Sequence, residues 1–403
     1  MNYRLSRLFL NMGAVLEYYD YLTFVFLAKI LAQVFFPHVE QGNVTINFLF
    51  FALGGAVMIV GGLGFGYLSD LWGRRKIILC MSIMMAVSSL SMGLMPYNLD
   101  VKVYLFLFFA LRIIQALSFG GEIPCATTFA YELENDTKKN SRISHIFSAA
   151  SLGSILATGV LSFLTFSLDM KDVCAWGWRI PFLVGGILGL LAFFLRRSLP
   201  ETLLPNLAKN NVRDIFAESK IHFKHIAFLP FILFFPATLI TVNLYFPVYI
   251  SQHFKFTVDK IYFAQTISLI FSTGLAIVAG IFSDKKLIKK FYVFVLLSFL
   301  CAQPFFFQLL SNSSTLSLTS LMILWQFFIT TSIVFAMFLI LETLPMSIRA
   351  TANGLIYNLT FFMASFVPIL FSKFFSTHPN PHILFYIISI TSFAALISIM
   401  KIK

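Results

Sequence analysis

Charge is what this sequence has least of. Asp, Glu, Lys and Arg make up 11% of its 403 residues, against 59% hydrophobic. A water-soluble domain of this size needs far more polar surface. Cysteine is scarce too. Cys80, Cys125, Cys174 and Cys301 are scattered without a CxxC pair, which argues against a disulfide framework and against a zinc site. The His residues do not cluster at ligand spacing. His222 and His225 share a helical face, but in a basic stretch where solvation is the simpler reading. No metal or other cofactor is expected. No nucleophile–base arrangement suggests an enzyme, and no large polar domain suggests a receptor. A cleavable signal peptide is not apparent, because the first apolar run is long and leads into many more.

Those runs are what the chain does have. Mean hydropathy is +0.86. Stretches long enough to cross a bilayer recur along the whole length, without the alternation of a closed barrel. About twelve helical spans are expected, at 8–36, 46–68, 77–96, 103–131, 143–167, 180–199, 226–251, 261–282, 291–310, 317–341, 352–372 and 382–400. The net charge of +12 then sorts by side. Of the 29 Lys and Arg, 21 fall in loops on one side and six on the other, while Lys29 and Arg112 lie within spans. By the positive-inside rule both termini are cytoplasmic. The basic balance is a topology signal and not a sign of a nucleic-acid partner. Most of the 50 Phe read as lipid-facing filler.

The longest hydrophilic segment, 200–225, has six spans on either side. It reads as a cytoplasmic linker between bundles 1–199 and 226–403. "GYLSD" (66–70) ends the second span and "GIFSD" (280–284) the eighth. Glu132 closes the fourth and Glu342 the tenth. The two offsets nearly agree, which points to duplication and to a cavity between two halves.

The most specific stretch is "GYLSDLWGRRKIIL" (66–79). Gly66 permits close approach of a neighbouring helix, and Asp70 needs a cation or a helix N-terminus. Gly73 makes the turn, and Arg74 and Arg75 hold the loop at the cytoplasmic surface. Lys76 reads as ordinary topology. This pattern resembles the loop between helices 2 and 3 of the major facilitator superfamily, where it latches the cytoplasmic gate. "GIFSDKKLIKK" keeps Gly280 and Asp284 but has lysines in place of Gly-Arg-Arg. Further stretches resemble the metabolite:proton symporter branch, which includes proline/betaine, α-ketoglutarate, citrate and shikimate carriers. They are "GAVLEYYDYL" (13–22), "RIIQALSFGGEIPCATTFAYE" (112–132), "WGWRIPFLVG" (176–185), "RRSLPET" (196–202) and "LETLPMSIRATANGLIYNL" (341–359). In the first, Ala14 replaces the branch's Asn and Tyr18 its Trp. The chain stops at Lys403 without the coiled-coil extension of some osmolyte carriers, which puts osmosensing in doubt.

The resemblance implies an all-α polytopic protein of twelve transmembrane helices in two pseudo-symmetric six-helix bundles. It implies a secondary active transporter of the inner (plasma) membrane, importing a small zwitterionic or carboxylate-bearing solute with protons. Its partners would be that solute, protons and the bilayer, and a self-sufficient 6+6 chain suggests a monomer. The alternative is a proton-antiport exporter of a drug, siderophore or metabolite. Helix 5 of such exporters often carries a Gly-rich, Pro-containing pattern, and "SAASLGSILATGVLSF" has no Pro. No G-x-x-x-x-G-K-[ST] loop is present, so ATP would have to be used by a separate partner.

Glu17 and Asp20 lie on one helical face inside a span, where an ionised acid costs at least a few kcal/mol. Pairing Asp20 with Arg112 would neutralise both. The plain reading is an ion pair that fixes packing. The functional one is a switchable pair: Asp20 takes a proton, releases Arg112, and Arg112 holds the solute. Glu17 relays the proton or orients the solute, and Glu122 is a second proton site or a packing group. Solute contacts are expected from Arg112, Tyr21 and Gln115 in the first half. In the second half they are expected from Asn243, Tyr245, Gln303, Trp325, Gln326, Tyr357 and Asn358, all neutral. The gate is expected to comprise Gly66, Asp70, Gly73, Arg74, Arg75, Glu132, Asp284, Glu342 and Arg349.

Overall fold

The computed structural model describes residues 3–35, 44–96, 100–133, 139–203, 218, 220–222, 226–254, 256–282, 287–311, 314–377 and 382–401. Twelve long helices run through them. The first six are α1 (Tyr3–Phe35), α2 (Val44–Trp72), α3 (Arg74–Gly93), α4 (Val101–Glu132), α5 (Lys139–Ser167) and α6 (Arg179–Arg196). The second six are α7 (Leu229–His253), α8 (Val258–Phe282), α9 (Ile288–Ser311), α10 (Thr315–Thr343), α11 (Arg349–Thr377) and α12 (His382–Lys401). A short helical segment with a π-helical turn at Val173–Gly177 leads into α6. No strand occurs among the described residues. Each expected span falls on one helix, because a chain in lipid must satisfy its backbone polar groups internally. Eight described helices are long and apolar enough to cross a membrane. The segment read as a linker, 200–225, lies largely outside the described residues.

Glycines set how closely the helices cross. On α2, Gly61 faces Leu117 of α4, and Gly62 faces Gly354 of α11 backbone to backbone. One turn further on, a Cβ at Gly66 would lie 2.9 Å from Thr351 Cα. A Cβ at Gly280, at the end of α8, would lie 2.9 Å from Ser141 Cα of α5. The two glycines of the repeated motif thus occupy matching crossings, each of which joins the first six helices to the second six. Without a strong hydrophobic drive between helices in lipid, such contact between small residues supplies much of the association.

The proline inside α4 adds a directional link. Pro124 has no N–H, so the carbonyl of Gly120 loses its intrahelical donor. Asn358 of α11 fills the vacancy, its Nδ2 donating to Gly120 O at 2.7 Å. Asn353 donates to the carbonyl of Pro124 itself at 3.0 Å. Both bonds tie α11 to α4.

The second half packs around aromatic rings. Trp325 is fully buried among Phe246, Phe299, Phe306 and Phe385, and donates Nε1–H to Leu239 O at 3.2 Å. This corrects its expected place on a cavity wall: the indole satisfies its one donor inside the bundle. Gln303 also points elsewhere, donating to Ser389 of α12 at 2.7 Å.

Gly354→Val should lower the thermal midpoint of the purified protein by the equivalent of about 1–3 kcal/mol, as overpacking a tight crossing does. Gly159 of α5 has nothing within 4 Å of an added Cβ. Gly159→Ala should leave the midpoint within about 1 kcal/mol of wild type. Equal midpoints for the two variants would mean that the α2–α11 crossing tolerates a side chain.

Candidate functional site

Where the C-termini of α2 and α4 meet the N-termini of α3 and α11, side chains form one charged knot. Asp70 accepts from the first N–H groups of α11, Ala350 N at 3.3 Å and Thr351 N at 2.8 Å, and from Thr351 Oγ1 at 2.5 Å. These donors have no intrahelical partner, and a carboxylate also suits the positive end of the helix dipole. Arg74 pairs with Asp70 at 2.7 Å and with Glu132 at 3.1 Å, and donates to Met346 O at 2.9 Å. Arg349 closes the ring on Glu132 at 3.0 Å. Two cations thus balance two anions.

Gly73 turns the chain at φ 104°, a conformation that favours glycine. Its turn presents the N–H groups of Arg74 and Arg75 to Glu201, at 2.8 and 3.2 Å. Arg75 also donates to the carbonyl of Arg197. Glu342, expected to mirror Glu132, is exposed at the end of α10. The reason is that Arg349 turns to Glu132 across the halves. Asp284 lies outside the described residues.

Between the halves is a cavity of about 200 Å³. Tyr18, Tyr21 and Phe119 line it from the first half, and Asn243, Gln265, Gln326, Tyr357, Phe361 and Asn358 from the second. No described lining residue carries a formal charge. The side chain of Tyr245 is outside the described residues.

Glu17 and Asp20 face away from this cavity. On α1, Tyr18 and Tyr21 form one stripe at i, i+3 spacing and face the cavity, while Glu17 and Asp20 form the next stripe and face α3, α4 and α6. Asp20 accepts from Ser89 Oγ at 2.6 Å and from Gln115 Nε2 at 2.7 Å. Gln115 Oε1 in turn accepts from Arg112. The expected Asp20–Arg112 pair is therefore bridged, with the Gln115 amide between the two charges. Arg112 is half-buried, its guanidinium 3.8 Å above the Phe24 ring and 5.2 Å from that of Tyr21. Tyr21 stacks flat on Phe119, centroids 3.7 Å apart, and so stands beside the arginine at the cavity wall. Arg112 and Gln115 do not line the cavity, which corrects their expected contact with solute in this conformation.

One helical turn from Asp20 along α1 lies a second cluster, built on a residue that the sequence does not single out. Arg196, at the end of α6, is fully buried and pairs with Glu17 at 2.6 Å and Glu122 at 2.8 Å. Ser82 donates to the same oxygen of Glu17 at 2.8 Å. Gly13 makes room, since a Cβ there would collide with the guanidinium of Arg196. Gly185 does the same for Asp20. In sequence, Arg196 stands beside Arg197 at the end of an apolar run and counts as an interfacial cation. The readable signal is Gly13, one turn before Glu17 on the same face.

Twelve long helices, a charged latch between the halves and an aromatic, charge-free cavity between them define a membrane carrier. The Major Facilitator Superfamily model matches residues 12–368, and the chain belongs to that family of transporters. It is similar to a putative proline/betaine transporter of Staphylococcus haemolyticus, 31% identical over 292 residues, 70% of this chain and 62% of the relative. That match therefore takes in under two thirds of the relative's length. It is also similar to the glycine betaine/proline/ectoine/pipecolic acid transporter of Dickeya dadantii, 27% identical over 414 residues, 97% of this chain and 81% of the relative. Among solved structures, the proton:xylose symporter XylE matches with a TM-score of 0.77 at 18% identity, covering 100% of this chain and 96% of that one. Its low identity bears on the fold alone. The resemblance read from the motifs holds at the level of the family, the fold is that of the major facilitators, and the chain is a multi-pass membrane transporter and not an enzyme.

Asp70→Asn removes one charge from the balanced knot and weakens the hold on α11. A cysteine at Ser154, on the cavity wall, should then be labelled from the side of the knot at least several-fold faster than in the same background with Asp70 intact. Equal labelling rates would show that Asp70 does not hold this closure.

Proposed function

We propose that the protein imports a small zwitterionic solute together with protons, by alternating access across the inner membrane. The observation that carries this reading is a charge-free, aromatic cavity set one layer of side chains away from the Asp20–Gln115–Arg112 chain. Aromatic faces attract an ammonium group, at about 0.5–2 kcal/mol per ring depending on solvation. Tyr18, Tyr357 and Phe361 offer such faces, and the Asn243 and Gln326 amides can donate to a carboxylate. Proline and betaine, named for the relatives, carry both groups. Arg112 reaches the cavity only past Tyr21, so its contact with solute belongs to a later step.

Asp20 is the coupling residue in this reading. As the carboxylate, it accepts from Ser89 and Gln115 and attracts Arg112 through the amide. Protonation from the outside removes that attraction, freeing Gln115 and Arg112 to respond to the solute. Intramembrane acids facing a bundle interior are candidates for such relays. The duplicated halves, 1–199 and 226–403, would rock about the cavity while the latch at Asp70 breaks and reforms. Both termini are cytoplasmic in this arrangement, and one chain suffices as a monomer. The close crossings at Gly66 and Gly280, 214 residues apart in sequence, support the duplication.

The test is transport in vesicles with an imposed proton gradient, using radiolabelled betaine and proline. Wild type should accumulate solute. Asp20→Asn should abolish accumulation by more than tenfold yet leave counterflow detectable, and Arg112→Ala should remove both. Undiminished accumulation by Asp20→Asn would overturn coupling through α1. Outward movement of solute driven by proton influx would overturn import in favour of antiport.

A further inference from the structure

The buried acids described in the first half fall into three groups. The latch holds Asp70 and Glu132 against Arg74 and Arg349. The upper cluster holds Asp20 and Arg112 across Gln115. Each of these sums to zero. The third group does not. Glu17 and Glu122 share one cation, Arg196, and their side chains are 1%, 2% and 0% exposed. With both acids ionised the group holds one uncompensated negative charge, out of reach of water.

Arg196 is the cation that pairs with each glutamate among the described residues. The charged groups that act on Glu17 are Arg196 and Glu122, and those that act on Arg196 are the two glutamates. Beside Glu122 stand the neutral phenol of Tyr18 and the thiol of Cys125, and α3 contributes only the Ser82 hydroxyl. Hydrogen bonding gives a second, independent sign. Oε2 of Glu17 and Oε2 of Glu122 are buried without a hydrogen-bond partner, and Oε1 of Glu122 has only its ion pair with Arg196, although ionised carboxylate oxygens demand donors. An acid and a carboxylate that meet on one guanidinium satisfy this demand with a single proton, since two like charges so close cannot both ionise.

We propose that Glu17 and Glu122 together bind one exchangeable proton, clamped by Arg196, and form a second proton station on the cytoplasmic side of Asp20. Its function as a station rests on the proton-coupled reading above; the bound proton does not. The two clusters align on three helices. Glu17 and Asp20 are one turn apart on α1, Ser82 and Ser89 two turns apart on α3, and Gln115 and Glu122 two turns apart on α4. A proton leaving Asp20 toward the cytoplasm meets this pair next, and stays behind the cavity wall as it does so. Arg196 is a positioning residue, because it makes the two acids share one site.

Infrared difference spectroscopy of the full chain in lipid nanodiscs tests this without any solute. Wild type at neutral pH should show the carbonyl band of a protonated carboxyl that shifts in D2O. Glu17→Gln and Glu122→Gln should each lose it, because the remaining acid pairs one-to-one with Arg196 and ionises. Asp20→Asn should keep it. Arg196→Gln should intensify it roughly twofold, since both acids then lack a counter-charge; this variant also serves should either glutamine variant fail to fold. Absence of the band in wild type, its survival in both glutamine variants, or its loss in Asp20→Asn alone would overturn the shared proton. A wild type that shows the band yet accumulates no solute would leave the proton site standing and overturn the transport reading instead.

Discussion

A formal charge inside this bundle has no water to turn to. Its partner therefore decides its position, and much of the architecture follows from that. Arg74 fits between Asp70 and Glu132 because both of its sides are needed. Arg196 folds back from the end of α6 into the protein because Glu17 and Glu122 are there and because Gly13 leaves the space. Asp20 has two neutral donors and, behind one of them, Arg112. Breaking a buried pair costs about 3–5 kcal/mol, far more than such a pair adds over apolar packing. Each cluster is thus a poor source of net stability and a strong constraint on which helices stay together.

The helical period then separates two kinds of surface on one element. Residues 17 and 20 of α1 turn inward to charge, while 18 and 21 turn to the cavity as aromatic rings. The cavity and the charges are thereby placed on adjacent faces of one helix. Any shift or rotation of α1 moves both stripes together. The latch lies elsewhere, at the ends of α2, α3, α4 and α11. It uses the helix N–H groups left without an intrahelical partner, which exist in every helix and need only a carboxylate at the correct place. The unpaired carbonyl that Pro124 leaves on α4 is used in the same way by Asn358, so the two ends of helix hydrogen bonding both become joints between the halves.

The helices and their order were legible because a bilayer imposes length and apolarity directly on sequence. The latch was legible because its residues are adjacent: Asp70, Gly73, Arg74 and Arg75 lie within six positions. Its partners distant in sequence, Glu132 and Arg349, came through the family resemblance, whereas Arg196 was not legible at all. Nothing around Arg196 distinguishes it from its neighbour Arg197, since both follow an apolar run and precede a turn. The bridge at Gln115 was hidden for another reason: a glutamine three residues after an arginine on a helix is an ordinary surface pair. Trp325 misled because an indole in a span suggests a ligand wall, whereas a backbone carbonyl inside the bundle serves its one donor equally well. Glu342 followed the repeat in sequence, but the repeat in charge stops where Arg349 crosses to the other half.

The aromatic packing around Trp325 has an electrical consequence. A membrane voltage does work only on charge, about 2.3 kcal/mol per elementary charge moved through 100 mV. The described middle portions of α7 to α12 hold no Asp, Glu, Lys or Arg. The field therefore passes through the second half without gripping it. Its force falls on the clusters around Asp20 and Arg196, which makes the first half the voltage-bearing part of the molecule and the second a dielectric block against which it moves.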